Sequence, residues 1–194
     1  MAEEFHDSGL AGALSGGKGA AAEGSETADA QIAARTARHL AETSHALEAR
    51  LSFICDLWQA KRGAKTMPSR TELDPADFHR LWPVTFLLEK GHGGGDWYVR
   101  FAGAAYGSVY GREITGASVR ELVPESLAPQ VLADLRRCIE DRTPIVIDGE
   151  TNWPDRGNVY RYQRVLLPYG NEDGEVTHLL GVAAFYNSTG ATVF

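Results

Sequence analysis

The spacing of apolar side chains divides the chain into a helical front and a strand-rich remainder. Ala33, Ala37, Leu40, Ser44, Leu47, Leu51, Ile54 and Trp58 recur at alternating steps of four and three. That is the a/d stripe of a heptad helix, weakened by alanine and serine in its first half. It predicts an amphipathic helix over 30–62, which packs either on its own domain or against a second copy. In the second case the 33–58 stripe makes a homodimer. Asp74-Pro75 supplies an N-cap followed by proline at the first helical position, so "DPADFHRLWP" predicts one short helix stopped before Pro83. Beyond it the period falls to two. Residues 84–90 and 97–103 are expected as the strands of a hairpin around "GHGGGD". Glycines at 103, 107, 111 and 116 confine the next stretch to one-turn helices. Leu127, Val131, Leu132, Leu135 and Ile139 then mark one side of a longer helix. "PIVIDGETN", "VYRYQRVLLPY" and "VTHLLGVAAFY" follow as three strands, the last two joined by "GNEDGE".

The order is helix, β, β, short helices, helix, β, β, β. It predicts an α+β domain over 63–187, with a five-stranded antiparallel sheet and helices on one face, followed by a tail at 188–194. Helices over one face of such a sheet enclose space for a ligand. The NTF2-like and START-like cups share parts of this order. Residues 1–29 are Gly, Ala, Ser and Glu with almost no large apolar side chains. Such a segment buries too little surface to offset its chain entropy and is expected to be a disordered tail.

Charge sharpens the picture. That tail holds six acidic residues against Lys18, so −5 of the formal −7 lies there and only −2 falls on the rest. A near-neutral domain argues against bulk electrostatic binding of nucleic acid. No apolar run approaches the ~20 residues that span a bilayer, and the acidic N-terminus lacks the pattern of a secretory signal. Cys55 and Cys138 stand in separate predicted helices, outside any C-x-x-C or Cys/His ligand spacing. They are expected as buried thiols of a cytoplasmic protein, with no metal site.

One stretch fits no simple element. "LWQAKRGAKTMPSRTELDPADFHRLWP" ends a helix, turns basic, and breaks at Gly63 and Pro68. Arg62 and Arg70 flank that break, where a helix C-terminus and Asp74 offer local ion pairs. The stretch resembles the start of the PAS-like proteins typical of alphaproteobacteria, a W-x3-RG-x3-MPSR run followed by LDP, matched at Trp58, Arg62, Gly63, Met67, Pro68, Ser69, Arg70, Leu73, Asp74 and Pro75. A second segment, "VRFAGAAYGSVYGREITG", is similar to the same family at Arg100, Gly103, Gly111, Arg112, Glu113, Thr115 and Gly116. Together the two motifs tie about residues 50–186 to that family. The resemblance implies a PAS-like sheet preceded by the amphipathic helix. From the residues themselves, both motifs are expected to fix the approach of the N-terminal helix rather than to hold a ligand.

Candidate chemistry is sparse. Asp148 and Glu150 share one face of a strand, as a carboxylate pair would, but are expected on its solvated side. "GHGGGD" opens no helix and so makes no phosphate cradle. Aromatic residues are denser: Tyr98, Phe101, Tyr106, Tyr110, Tyr160 and Tyr162 fall on the elements around the expected cavity. Phenols in an apolar pocket are natural hydrogen-bond donors to a small ligand. With His178, in phase with Leu180 and Val182 in the last strand, Tyr98, Phe101, Tyr106 and Tyr110 are the candidate pocket residues. The cofactor is left unidentified, and neither cysteine is placed to react with a flavin.

Three classes of function follow. No paired acid and base survives comparison with ordinary packing, so an enzyme of the cup type is the least favoured. A ligand-binding sensor and a ligand-free adaptor remain. Few residues follow the last strand, so any signal is expected to leave through contact with another protein. The family resemblance implies a stand-alone PAS regulator acting on a sensor kinase or on a polarity or motility factor.

Overall fold

The computed structural model describes residues 48–93, 95–152, 159–187 and 189–192. The expectations for the acidic tail, for the first half of the heptad helix up to Leu47, and for part of the C-terminal tail lie outside those residues. The described elements begin with α1 (Ala49–Arg62), two 3₁₀ segments (Arg70–Glu72 and Pro75–Val84), β1 (Thr85–Lys90) and β2 (Trp97–Ala102). Three helices follow: α2 (Ala104–Tyr110), α3 (Val119–Leu122) and α4 (Ala128–Asp141). The strands β3 (Ile145–Asn152), β4 (Val159–Gly170) and β5 (Val176–Tyr186) complete them.

The expected sheet is present. Five antiparallel strands pair in the order β2-β1-β5-β4-β3. The last strand in sequence therefore lies at the centre, joining the early hairpin to the late one. Alternation sorts the side chains by face. Phe86 lies beside Gly181, which lies beside Leu166, which lies beside Ile145, and these four point to one side. Leu87, Leu180 and Leu167 form a second row across the sheet and point to the other. Both rows are needed, because each face is covered.

One face is covered by α2, α3 and α4, as the alternation of helices and strands implied. The other is covered by α1, which packs on β4 and β5 and buries Leu51, Ile54, Cys55 and Trp58. The Trp58 indole N–H donates to Pro168 O at 2.8 Å, and the backbone N–H of Glu48 donates to Gln163 Oε1 at 2.9 Å. Leu51 and Trp58 are 0% exposed within their own chain. A dimer through those residues would have to strip the helix from its own sheet, so this part of the 33–58 stripe serves the domain core.

Three local expectations need correction. The segment after Asp74 is 3₁₀ rather than α-helical and runs through Pro83, with a kink at Phe78 (φ −135°, ψ 26°). Asp74 still caps it, its Oδ1 accepting from Ala76 N at 2.9 Å. Gly107 does not break α2, which runs seven residues and ends at Gly111, a left-handed cap (φ 60°, ψ 21°). The helix tolerates Gly107 because Ala105, Tyr106 and Val109 bury its inner side. Leu127 caps α4 rather than lying within it and is 37% exposed, while Leu135 and Cys138 are the helix's buried residues.

The basic break also has a structural answer. Arg62 is buried and donates to Gln59 Oε1 and to Lys65 O, both at 3.1 Å, which holds the chain reversal after α1. Ion pairs of Lys61 with Asp77 at 2.7 Å and of Lys65 with Glu72 brace the same break. Met67 is buried against Gly170, where a Cβ would come within 2.3 Å of its Cε. Pro68 O accepts from Gly170 N at 3.0 Å, and Ser69 and Glu72 form a capping box. The stretch clamps the connection between α1 and the sheet.

Candidate functional site

The space between the sheet and its covering helices is narrow and sharply divided in chemistry. Two adjoining hollows of about 60 and 70 Å³ lie there, and Tyr106, Tyr110, Val123, Val131 and Arg164 line both. The inner hollow is otherwise aliphatic and aromatic, with Phe86, Leu88, Val99, Ile114 and Leu166 among its walls. The outer one is bordered by Tyr162, Phe185 and Glu150.

Each polar wall residue has a structural reason for its place. Tyr106 sits on the buried side of α2, two residues past its start. Its ring meets Phe86 edge-on at 5.3 Å (86°) and Phe185 at 5.5 Å (78°), which fixes its direction. Its hydroxyl is buried and has no hydrogen-bond partner. Arg164 stands on β4 between Tyr162 and Leu166 in the cavity-facing phase. Its guanidinium lies over the rings of Phe86 at 5.6 Å and Tyr162 at 5.0 Å. The Nε of Arg164 is likewise buried without a partner. Among the described residues no carboxylate pairs with this guanidinium.

Burial pushes the Tyr106 phenol well above the usual tyrosine range, and the Arg164 charge only partly opposes it. Tyr110 shifts the same way for the same reasons. Both remain neutral O–H groups at physiological pH, able to donate to an acceptor. A buried polar atom without a partner is uncommon and costs free energy. Tyr106 Oη and Arg164 Nε both border one cavity.

The structure sorts the sequence candidates. Tyr106 and Tyr110 come together in the cavity. Tyr98 does not: it is 41% exposed and lines a shallow hollow with Glu89, His92 and Arg100. Phe101 lies on the other side of β2, 37% exposed, with its ring 6.0 Å from Trp82. A strand irregularity between Leu87 and Leu88 turns Val99, rather than Phe101, toward the cavity. His178 is in phase with Leu180 and Val182, as expected, but that phase faces the side covered by α1. It is half-buried beside Thr177, with Nδ1 3.0 Å from Thr177 Oγ1. Burial, with Arg70 next in weight, holds its imidazole below the usual histidine range. Tyr162 joins the outer hollow, and the side chain of Tyr160 lies outside the described residues.

Arg164 was the residue that spacing alone overlooked. The signal was present: an arginine in the same strand phase as Tyr162 and Leu166, inside an otherwise apolar run. Cys138 is fully buried, its thiol against Thr143 O and Leu166 O, and neither cysteine lines a hollow. Asp148 and Glu150 are exposed, and Asp148 accepts from Gln163 Nε2 at 3.1 Å. Among the described residues no group of histidine, cysteine and carboxylate side chains could hold a metal ion. No described helix is long and apolar enough to cross a membrane.

The second motif serves the cavity indirectly. Glu113 Oε1 accepts from Ile114 N at 3.0 Å and Thr115 N at 2.8 Å, and Gly116 (φ 88°) donates to Val99 O at 2.7 Å. This turn delivers Ile114 to the cavity wall and leads into the Ser118–Glu121 capping box of α3.

The family described as PAS domain matches residues 47–184. No curated protein matches the chain. Among solved structures, the light-state structure of the blue-light photoreceptor Aureochrome1 LOV is similar at 14% identity and a TM-score of 0.44, over 61% of this chain and 91% of that one. The dark structure of the same photoreceptor gives 13% identity and a TM-score of 0.45, over 57% and 80%. An RNA-binding Light-Oxygen-Voltage receptor gives 20% identity and a TM-score of 0.43, over 60% of this chain and 35% of that receptor.

Proposed function

The chain belongs to the PAS domain family, whose members point to a sensory or regulatory role, and from that premise we propose that it senses a small molecule in the cavity between its sheet and α2–α4. It acts by binding rather than by catalysis, and it passes the outcome to another protein, such as a sensor kinase or a polarity or motility factor, in the cytoplasm. The observation that carries this is the pair of unpartnered buried polar atoms, Tyr106 Oη and Arg164 Nε, around one otherwise apolar cavity. An adaptor that used only its surface would have no need to retain them.

Occupancy has a route outward. The cavity wall includes Leu166, whose strand neighbours Val165 and Leu167 lie on the face covered by α1. A ligand that shifts the inner row of the sheet biases the seat of α1 on the outer row, provided it binds the two arrangements with different affinity. Native mass spectrometry of the purified full-length protein tests the proposal, with mild extraction and identification of any molecule released. A stoichiometric adduct that Arg164→Met abolishes is the expected result. A protein that carries nothing, and whose melting temperature no small-molecule library shifts, would return the adaptor reading to first place.

A further inference from the structure

The cavity is specific about charge as well as shape. Arg164 brings a permanent cation to a half-buried position, and the aromatic rings on which it lies orient it without neutralising it. A guanidinium is a planar fork that matches a carboxylate, and such pairs form charge-assisted bonds about twice as strong as neutral ones. Tyr106 contributes a neutral hydroxyl with nothing to donate to. At about 30 Å³ per water-sized group, hollows of about 60 and 70 Å³ each hold about two. A ligand of about five or six non-hydrogen atoms spanning both fits.

Deepening the sensor reading and resting on it, we propose that the ligand is a small monocarboxylic acid with an apolar body. Its carboxylate pairs with the Arg164 guanidinium and accepts from the Tyr106 hydroxyl. Its short aliphatic body lies against Phe86, Val99, Ile114 and Leu166. Arg164, the one cation lining these hollows among the described residues, pairs with one negative charge, and the aliphatic walls of the inner hollow match an apolar body. Dicarboxylates and phosphates are disfavoured by the same count.

The test uses the full-length protein and matched probes: propionate, butyrate and isobutyrate, each against its amide and its alcohol, with succinate as the dianion. Titration calorimetry reads affinity, and thermal unfolding reads stabilisation. At least one monocarboxylate is expected to bind with a dissociation constant of about 1 mM or tighter. Its amide, its alcohol and succinate should each bind at least about tenfold more weakly. Arg164→Met should weaken the carboxylate at least about tenfold and leave the amide unchanged, while Tyr106→Phe should weaken it severalfold. The probe comparison on the unmodified protein stands even where a variant folds poorly. Amides or alcohols that bind as well as the acids would overturn the charge assignment, and so would the absence of binding by every monocarboxylate. A co-purified molecule that none of the acids displaces leaves the sensor reading intact and removes this one. A protein that carries no molecule and binds no probe removes both.

Discussion

Replacing Tyr106 with phenylalanine deletes one oxygen and leaves the ring. The ring's edge-on contacts with Phe86 and Phe185 therefore survive, and so does its share of the apolar wall. The hydroxyl that is lost is 5% exposed by residue and bonds to nothing. In the empty protein it is desolvated without return, which costs about 1–3 kcal/mol. Water entering the 60 Å³ cavity recovers part of that. The gain expected for Tyr106→Phe is thus at the low end, about 1 kcal/mol. For a domain of this size that raises the melting temperature by about 3 °C. The assay is thermal unfolding followed by circular dichroism and tryptophan fluorescence, on protein refolded from denaturant to strip any bound molecule. Under saturating carboxylate the gap should close, because the severalfold tighter binding of the unmodified protein is worth about 1 kcal/mol. A stripped Tyr106→Phe protein that melts 3 °C or more below the unmodified one would mean the phenol has a partner of its own, and the case for a vacant polar socket would fail.

Other parts of the fold give independent checks. Trp58→Phe removes the 2.8 Å bond to Pro168 O and opens space at a 0%-exposed site; urea unfolding should show a loss of about 2–4 kcal/mol. His178 titrates below its usual range in the folded protein because it is half-buried beside Arg70 and Arg100, with Glu89 opposing. The unfolded chain then binds the proton first, so His178 lends stability that is complete above its unfolded pKa of about 6.5 and fades as pH falls from there through the folded value. His178→Gln should flatten that part of the stability profile between pH 7.5 and 5.5, roughly the range around that value, and an unchanged slope would refute it. Burial pushes the Cys55 thiol up to about 12 and raises Cys138 further. A chromogenic disulfide reagent should therefore label neither under native conditions and both in guanidinium, whereas fast native labelling would show that α1 opens readily.

The order of elements and the antiparallel sheet were legible in the chain, because period-two runs and Gly/Asp turns are local signals. So was the placement of Tyr106 and Tyr110 against the sheet, on a short helix that covers it. Alternation alone placed His178 correctly in phase with Leu180 and Val182. It could not say which face that phase met, since both faces of this sheet are buried and both read as apolar. The same ambiguity hid Phe101, because the irregularity in β1 pairing that brings Val99 inward depends on a neighbouring strand. The heptad stripe was equally ambiguous, as a helix that packs on a sheet and one that packs on a copy of itself need the same spacing. The sheet decided it for Leu51 and Trp58 by offering Pro168 O and the β4–β5 surface. Arg164 shows the limit most plainly. A charged residue in an apolar strand is visible in the sequence, but whether it reaches solvent, finds a carboxylate or waits unpaired depends on what the other strands and helices bring to it. Only tertiary packing placed it over two rings, beside a silent phenol, at the wall of an otherwise apolar cavity.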